Sequence, residues 1–285
     1  MSLAVCLPAS IIALHFLPMP HWLNAIILGL VEGVTEFIPV SSTAHLLIVE
    51  KFLGIHEDDL FNIVIQGAAV LAVIPLFWKQ FSGMIFGLGE AKNRDLLAKF
   101  IIAFVITGIG GIILKKSGFT LPKELAPVAW ALLLGGVIIF AVEAFCRKRK
   151  LDDRLTYPLA VAFGVAQLIA AVLPGASRSG STIMLAMLLG MSRSAATEFT
   201  FLLGVPTILA ASALETYKTL KTTGLHTDSW IHVAIGCIAA AISSFIVVKW
   251  LIRYVQTHTF NSIAIYRVIV GAALLVWLAK HTSGV

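Results

Sequence analysis

The stretch WLNAIILGLVEGVTEFIPVSSTAHLLIVEKFL, residues 22–53, decides the fold of this chain. Two apolar runs, Trp22 to Val40 and Ala44 to Leu53, flank a polar turn that carries three hydroxyls directly after Pro39 and Val40. We interpret the runs as two short helices joined by this turn. Backbone that leaves a helix at membrane depth is tolerated only inside protein or beside water. The stretch therefore predicts a re-entrant helical hairpin.

A second broken region has the same construction. Pro158 to Leu173 leads through the turn at 174–179 into a short run from Thr182 to Met191. Residues 29–42 align with residues 164–177 at an offset of 135, with Gly, Pro and Ser coinciding. Apolar residues align easily by chance, but the shared Pro and Ser favour a duplicated half. We predict one transmembrane domain over 1–285, with half-repeats at 22–145 and 157–280 and an N-terminal extension at 1–21.

The composition is that of a membrane protein. Of the 285 residues, 59% are apolar and 13% charged, whereas a soluble domain has about a quarter of its residues charged. Six further segments are apolar enough to cross a bilayer: Phe61–Trp78, Leu96–Leu114, Ala126–Phe145, Thr197–Leu214, Trp230–Leu251 and Phe260–Ala279. We therefore predict an all-α polytopic membrane protein with six full transmembrane helices and two re-entrant hairpins. The net charge of +6 lies mostly in short loops, so no nucleic-acid partner is expected.

Three predicted spans separate the two hairpins, and this odd number places them on opposite faces of the membrane. The arrangement is an inverted-topology repeat. The loop at 147–154 is the densest in Lys and Arg, which places it in the cytoplasm. Lys and Arg of the short loops then divide 12 to 7 in favour of the cytoplasmic side. We expect both termini outside and the first hairpin to enter from the outer face.

Ionisable side chains inside apolar segments are energetically unfavourable and mark functional sites. Glu32 and Glu36 are four residues apart and share one helix face, where their charges repel. A divalent cation, a distant Arg or a proton would neutralise them. The alternative is a pair of protonated or hydrogen-bonded core carboxylates.

The first turn carries Ser41, Ser42 and Thr43, and His45 follows two residues after Thr43. A hydroxyl with a neighbouring base is the minimum requirement for nucleophilic catalysis. Ser42 and His45 are three residues apart and would lie together if a helix began near Ser42. The alternative is that these hydroxyls cap the helix start.

In the second turn, Arg178 lies among hydroxyls and glycine at the start of a short helix. Helix N-termini and guanidinium groups both favour phosphate oxygens. Alternatively, Arg178 is a structural counter-ion for Glu32 or Glu36. If the hairpins meet at mid-membrane, the groups of a phosphate-ester site converge. We also expect Glu198 and Arg267 to pair and hold the halves together.

Four motifs resemble the undecaprenyl-pyrophosphate phosphatase family, the bacitracin-resistance proteins of bacteria: EGVTEFIPVSSTAH (32–45), PGASRSGSTI (174–183), SRSAATEFTFLLGVP (192–206) and AIYR (264–267). The likeness extends from about Trp22 onward. Ala44 stands where many members carry Gly. The family's functional residues fall on Glu32, Glu36, Ser42, His45, Ser177, Arg178 and Thr182.

This resemblance implies hydrolysis of a polyprenyl diphosphate to its monophosphate, which recycles the lipid carrier of cell-wall synthesis. It also implies Mg²⁺ or Ca²⁺, an active site reached from the outer face of the bacterial inner membrane, and bacitracin competing for substrate. Within that framework we assign catalysis to Glu32, Glu36, Ser42, His45 and Arg178, with the cation at Glu32 and Glu36. We assign substrate binding to Ser41, Thr43, Ser177, Arg178, Ser179 and Thr182.

Several alternatives stay open at this point. The attacking atom belongs to Ser42 or to His45, and the proton goes to His45 or Glu36. An inverted-repeat transporter of a lipid phosphate or anion would also use broken helices with charged groups near the midplane. The prenyl chain length and a possible homodimer are not decided by the sequence.

Overall fold

The computed structural model describes residues 20–55, 57–118, 124–223 and 230–282, and this part of the chain has helices but no β-strand. Most of the predicted N-terminal extension, residues 1–19, lies outside the described residues. The helices are α1 (His21–Thr35), α2 (Ser42–Leu53), α3 (Asp59–Leu71), α4 (Trp78–Phe86), α5 (Ala91–Lys116), α6 (Leu125–Cys146), α7 (Tyr157–Val172), α8 (Arg178–Leu188), α9 (Arg193–Thr223), α10 (Trp230–Thr257) and α11 (Asn261–Thr282).

Six of the described helical segments are long and apolar enough to span a membrane, which confirms the predicted number. They are Asp59–Phe86, Ala91–Lys116, Leu125–Cys146, Arg193–Lys221, Trp230–Thr257 and Asn261–His281. The first extends eight residues beyond the predicted end at Trp78, and it is broken in the middle by a 3₁₀ turn at Ile74–Phe77. Pro75 explains the break, because proline has no N–H for the α-helical ladder. The chain is a multi-pass, all-helical membrane protein.

Each broken region forms two short helices, α1–α2 and α7–α8, as expected for hairpins that turn back inside the membrane. α1 has 15 residues and α7 has 16, fewer than the ~20 needed to span. α8 begins at Arg178, four residues before the predicted start at Thr182. The Ser177 hydroxyl explains this earlier start, because it accepts from the N–H of Gly180 and caps the helix. The short helices are consistent with re-entrant hairpins.

Each hairpin packs against a helix of the other half. α1 packs on α10, and α7 packs on α5. Glycine allows both approaches: a Cβ at Gly29 would lie 2.3 Å from the carbonyl oxygen of Gly236, and one at Gly164 would lie 2.9 Å from that of Ala103. This reciprocal packing is what two related halves would produce, although the repeat itself stays a prediction.

The structure pairs the residues of the two turns one position differently from the sequence alignment. Ser41 and Ser177 both have positive φ, 74° and 72°, and both cap the following helix. The structure thus makes Ser41 the counterpart of Ser177, an offset of 136, whereas the alignment paired Ser42 with Ser177. Ser42 corresponds instead to Arg178, since each is the first residue of its helix.

A buried carboxylate joins the ends of three helices. The Glu143 carboxylate of α6 accepts from Arg193 of α9 through Nε at 2.8 Å and Nη2 at 2.5 Å. The same carboxylate accepts from the N–H of Phe260, just before α11, at 2.8 Å. Bidentate geometry and a third donor satisfy this carboxylate in the protein interior.

Candidate active site

The tips of the two hairpins meet at a cavity of ≈ 440 Å³. Ser179 Oγ of the second hairpin donates to the carbonyl of Ile38 in the first at 3.3 Å, so the tips are in direct contact. Polar side chains from both halves line the cavity: Glu36, Ser41, Ser42, Thr43, Gln66, Thr107, Gln167, Ser177, Arg178 and Thr207.

Glu36 is the centre of the polar network. Its Oε2 accepts from Ser42 Oγ at 2.6 Å and from Gln66 Nε2 at 3.2 Å. Its Oε1 accepts from Arg178 Nη2 at 3.0 Å, across the junction of the hairpins. The Glu36 side chain is 5% exposed and that of Arg178 is 18% exposed. A hydroxyl, a proton acceptor and a guanidinium therefore lie together in a site sheltered from bulk water.

Helices α2 and α8 both begin at this cavity, so their N-termini face it. Ser41 and Ser177 each use their hydroxyl to cap the third N–H of the helix, on Ala44 and Gly180. The first two N–H groups of each helix have no intrahelical partner. These groups add positive partial charge beside Arg178, where an anion is stabilised.

Among the described residues, the hydrogen bonds of the His45 ring go to Ser41 and Tyr266 and not to Ser42. Ring atom Nδ1 lies 2.8 Å from the carbonyl oxygen of Ser41, so it carries the proton in a neutral ring. Nε2 then accepts from the hydroxyl of Tyr266 at 2.7 Å, and the two rings stack. His45 does not line the cavity. Both of its nitrogens are engaged in holding the first turn against α11.

Two of the predicted binding residues also lie behind the cavity wall. Thr182 is buried, donates to backbone carbonyls of its own helix and accepts from Thr200 Oγ1 at 3.0 Å. Ser179 is buried between Ser177 and Ile38. Both support the second turn rather than face the cavity.

Glu32 lies one turn before Glu36 and is fully enclosed, with 1% exposure. Its Oε1 has no hydrogen-bond partner in the described residues. Within the described part of the chain, no group of three or more His, Cys, Asp or Glu lies close enough together to hold a metal ion. The orphaned oxygen nevertheless suits a hard cation, which prefers oxygen ligands, and Glu36 one turn further on lines the cavity.

Comparison with known proteins decides the family. The family model described as bacitracin resistance protein BacA matches residues 25–273, which include both hairpins and the Arg267 region. The chain belongs to this family. An undecaprenyl-diphosphatase of Xanthomonas euvesicatoria pv. vesicatoria is 48% identical over 91% of this chain and 98% of the relative. One of Rhizobium etli is 48% identical over 92% of this chain and 98% of the relative.

We expected Arg267 to pair with Glu198, but in this BacA-family protein its partners are backbone carbonyls. Its five N–H donors go to five carbonyls, at 2.9–3.4 Å: Ala131 and Leu132 of α6, Pro39 of the first turn, and Gly175 and Ala176 of the second. The expectation was wrong because the chain leaves its helices at both turns, so carbonyls such as those of Pro39 and Gly175 have no helical N–H partner. These carbonyls satisfy the buried guanidinium without a counter-ion. Arg267 clamps both hairpin tips from behind.

Sequence reasoning also missed four polar residues of the cavity wall of this family member. Gln167 donates to Thr107 Oγ1 at 3.0 Å and accepts from Thr207 Oγ1 at 3.1 Å, and Gln66 contacts Glu36. For the two glutamines the sequence did carry a signal, since Gln66 lies in the middle of an apolar span and Gln167 aligns with Glu32. Polar residues at such positions need a partner or a water-filled cavity.

Proposed function

We propose that this protein hydrolyses undecaprenyl diphosphate to undecaprenyl phosphate and phosphate in the bacterial inner membrane, and thereby confers bacitracin resistance. Its relatives named undecaprenyl-diphosphatase share about half of their residues with it over nearly their whole length. The observation that carries the proposal is the contact of Glu36 with both the Ser42 hydroxyl and the Arg178 guanidinium at the cavity. Phosphoryl transfer requires such positioning and charge neutralisation.

The diphosphate would enter the cavity between the hairpins while its lipid tail stays in the bilayer. Arg178 offers the donor fork that matches phosphate oxygens. Ser41, Thr43 and Ser177 border the same space, and the N–H groups at the starts of α2 and α8 add donors. The site thus binds the diphosphate from two helix ends and one guanidinium.

Ser42 Oγ is the nucleophile in this mechanism. It attacks the terminal phosphorus, the bond from that phosphorus to the bridging oxygen breaks, and the lipid leaves as its monophosphate. Glu36 takes the hydroxyl proton, because its Oε2 already accepts from Ser42 Oγ at 2.6 Å. Water then displaces phosphate from Ser42, and the proton held by Glu36 returns to the serine oxygen. His45 positions Ser41 through its backbone carbonyl.

Glu32 and Glu36 would hold a divalent cation, Mg²⁺ or Ca²⁺. The fit rests on the orphaned Glu32 Oε1 beside a second carboxylate. Such a cation supplies neutralisation of the diphosphate charge.

The cavity would open to the outer face, with both termini outside. Its lining follows α9 from Thr207 to Ala211, toward the helix end near Thr223. The distribution of Lys and Arg in the loops places that end outside. Bacitracin would then compete for substrate on the same side of the membrane.

The test is phosphate release from undecaprenyl diphosphate by purified protein in detergent. Ser42→Ala and Glu36→Gln should each lose at least about 100-fold in kcat, as expected for a nucleophile and its base. Ser244→Ala is the matched control, since this buried hydroxyl bonds the Ala69 carbonyl away from the cavity and should retain activity.

An absence of turnover in detergent, with uptake of a lipid phosphate or anion by vesicles that contain the protein, would contradict the proposal and indicate a transporter. Full activity of Glu36→Gln would contradict the role assigned to its carboxylate.

A further inference from the structure

A second concavity of ≈ 390 Å³ lies between α6 and the second hairpin. We call it the α6 groove and define it by Trp130, Leu134 and Ile138 on α6, with Ile169 and Leu173 at the end of α7. All five side chains are apolar and between 43% and 54% exposed. In a bilayer these exposed surfaces face acyl chains, so the groove is a lateral recess open to the lipid.

The groove adjoins the polar cavity. Leu173 and Pro174 line both spaces, so the tip of the second hairpin lies between them, and the Leu173 side chain there is 51% exposed. Gly175 faces the cavity, and Ala176 faces the groove. A molecule with its polar end at Arg178 would reach α6 by passing over the exposed Leu173 side chain, since Gly175 packs on Ala131 behind it.

The dimensions of the groove suit a linear hydrocarbon. Its α6 wall runs from Pro127 to Ile138, about 16 Å at 1.5 Å per residue. The opposite wall is formed by Ile169 and by Met184 of α8. This length and apolar lining favour an extended prenyl chain over a polar ligand.

We propose that the α6 groove binds the first prenyl units of the polyprenyl diphosphate whose phosphates occupy the cavity. This assignment rests on the proposed function and adds a subsite to it. Burial of the proximal prenyl units beside Leu173 orients the diphosphate toward Ser42, and it favours long-chain over short-chain substrates.

The experiment fills the groove and measures chain-length preference. Leu134→Trp and Ile169→Trp place bulk on the two walls. Val137→Trp and Val165→Trp are matched controls on the same two helices, because these valines are 51% and 40% exposed and lie outside the groove. Phosphate release is measured in detergent with undecaprenyl diphosphate and with dimethylallyl diphosphate, which has a single prenyl unit.

We expect the two groove variants to raise KM for undecaprenyl diphosphate by about tenfold, the loss that corresponds to one leucine-sized apolar unit left unburied. Their effect on dimethylallyl diphosphate, whose single prenyl unit leaves most of the groove empty, should be smaller, and the controls should stay within about twofold for both substrates. A photoreactive undecaprenyl diphosphate, with a diazirine on an early prenyl unit, should label α6 between Pro127 and Ile138 in the parent protein.

Equal effects of groove and control variants, or labelling elsewhere than on α6, α7 and α8, would overturn the groove assignment while parent turnover leaves the proposed function standing. Groove variants identical to the parent on both substrates would overturn the groove assignment as well. A parent protein that hydrolyses neither substrate would overturn the proposed function, and the subsite with it.

Discussion

The ion pair at the hairpin junction depends on a glycine in α9. A Cβ at Gly204 would lie 2.2 Å from Arg178 Nη1 and 3.0 Å from its Cζ. Carbon contacts in proteins settle at about 3.5–4.0 Å, so in Gly204→Ala the guanidinium must retreat by more than about 1 Å. Its 3.0 Å bond to Glu36 Oε1 would then break.

The expected loss follows from this displacement. A hydrogen bond between charged groups contributes about 1.5–3 kcal/mol, and misplacement by 1 Å in a catalytic site can reduce the rate by about 100-fold. We expect kcat/KM of Gly204→Ala to fall by about 10- to 100-fold. Folding should not suffer, because the obstructing atom is at the tip of a flexible side chain. Alanine in a helix is also favoured over glycine by up to about 1 kcal/mol.

The assay compares phosphate release and thermal unfolding in detergent for Gly204→Ala and Gly67→Ala. Gly67 in α3 also faces α9, but its Cβ would make an ordinary 3.5 Å contact with Ser212. The control should therefore keep parental activity. Parental activity in Gly204→Ala, or an equal loss in Gly67→Ala, would refute the reasoning about the guanidinium.

Three further predictions concern the clamp, the distal ion pair and the cation. Arg267→Lys should lower the unfolding temperature and reduce kcat by at least about tenfold, because three donors replace five; an unchanged kcat would contradict the clamp. Glu143→Gln should lower stability by about 1.5–3 kcal/mol, measured by unfolding, since the half-buried Arg193 loses its charged partner; kcat/KM of the folded fraction should not change, and a specific loss of catalysis would count against this structural role. Treatment with EDTA should abolish phosphate release and Mg²⁺ should restore it; activity that persists in EDTA would exclude the cation.

The sequence predicted the architecture because hydropathy and proline are local signals. Six apolar segments and two Pro-containing turns can be found by scanning the chain, and the helices follow them closely. Boundaries were less accurate: α8 begins at Arg178 because the Ser177 hydroxyl caps it, a contact with Gly180 that composition does not reveal.

The partners of each polar group could not be predicted in the same way. His45 is three residues from Ser42 in sequence, yet its ring faces Tyr266, 221 residues away. Arg267 was expected to need an acidic partner, but turn carbonyls satisfy it. Which groups meet depends on the packing of α11 behind both hairpins, and no local pattern encodes that packing.

The most direct test of the central claim is a rapid-quench experiment with undecaprenyl diphosphate radiolabelled in its terminal phosphate. If the Ser42 hydroxyl, held by Glu36 beside Arg178, is the nucleophile, the label is trapped on Ser42 as acid-stable phosphoserine, and Ser42→Ala traps none. Acid-labile label on His45, or full turnover by Ser42→Ala, would contradict this account of the hairpin junction.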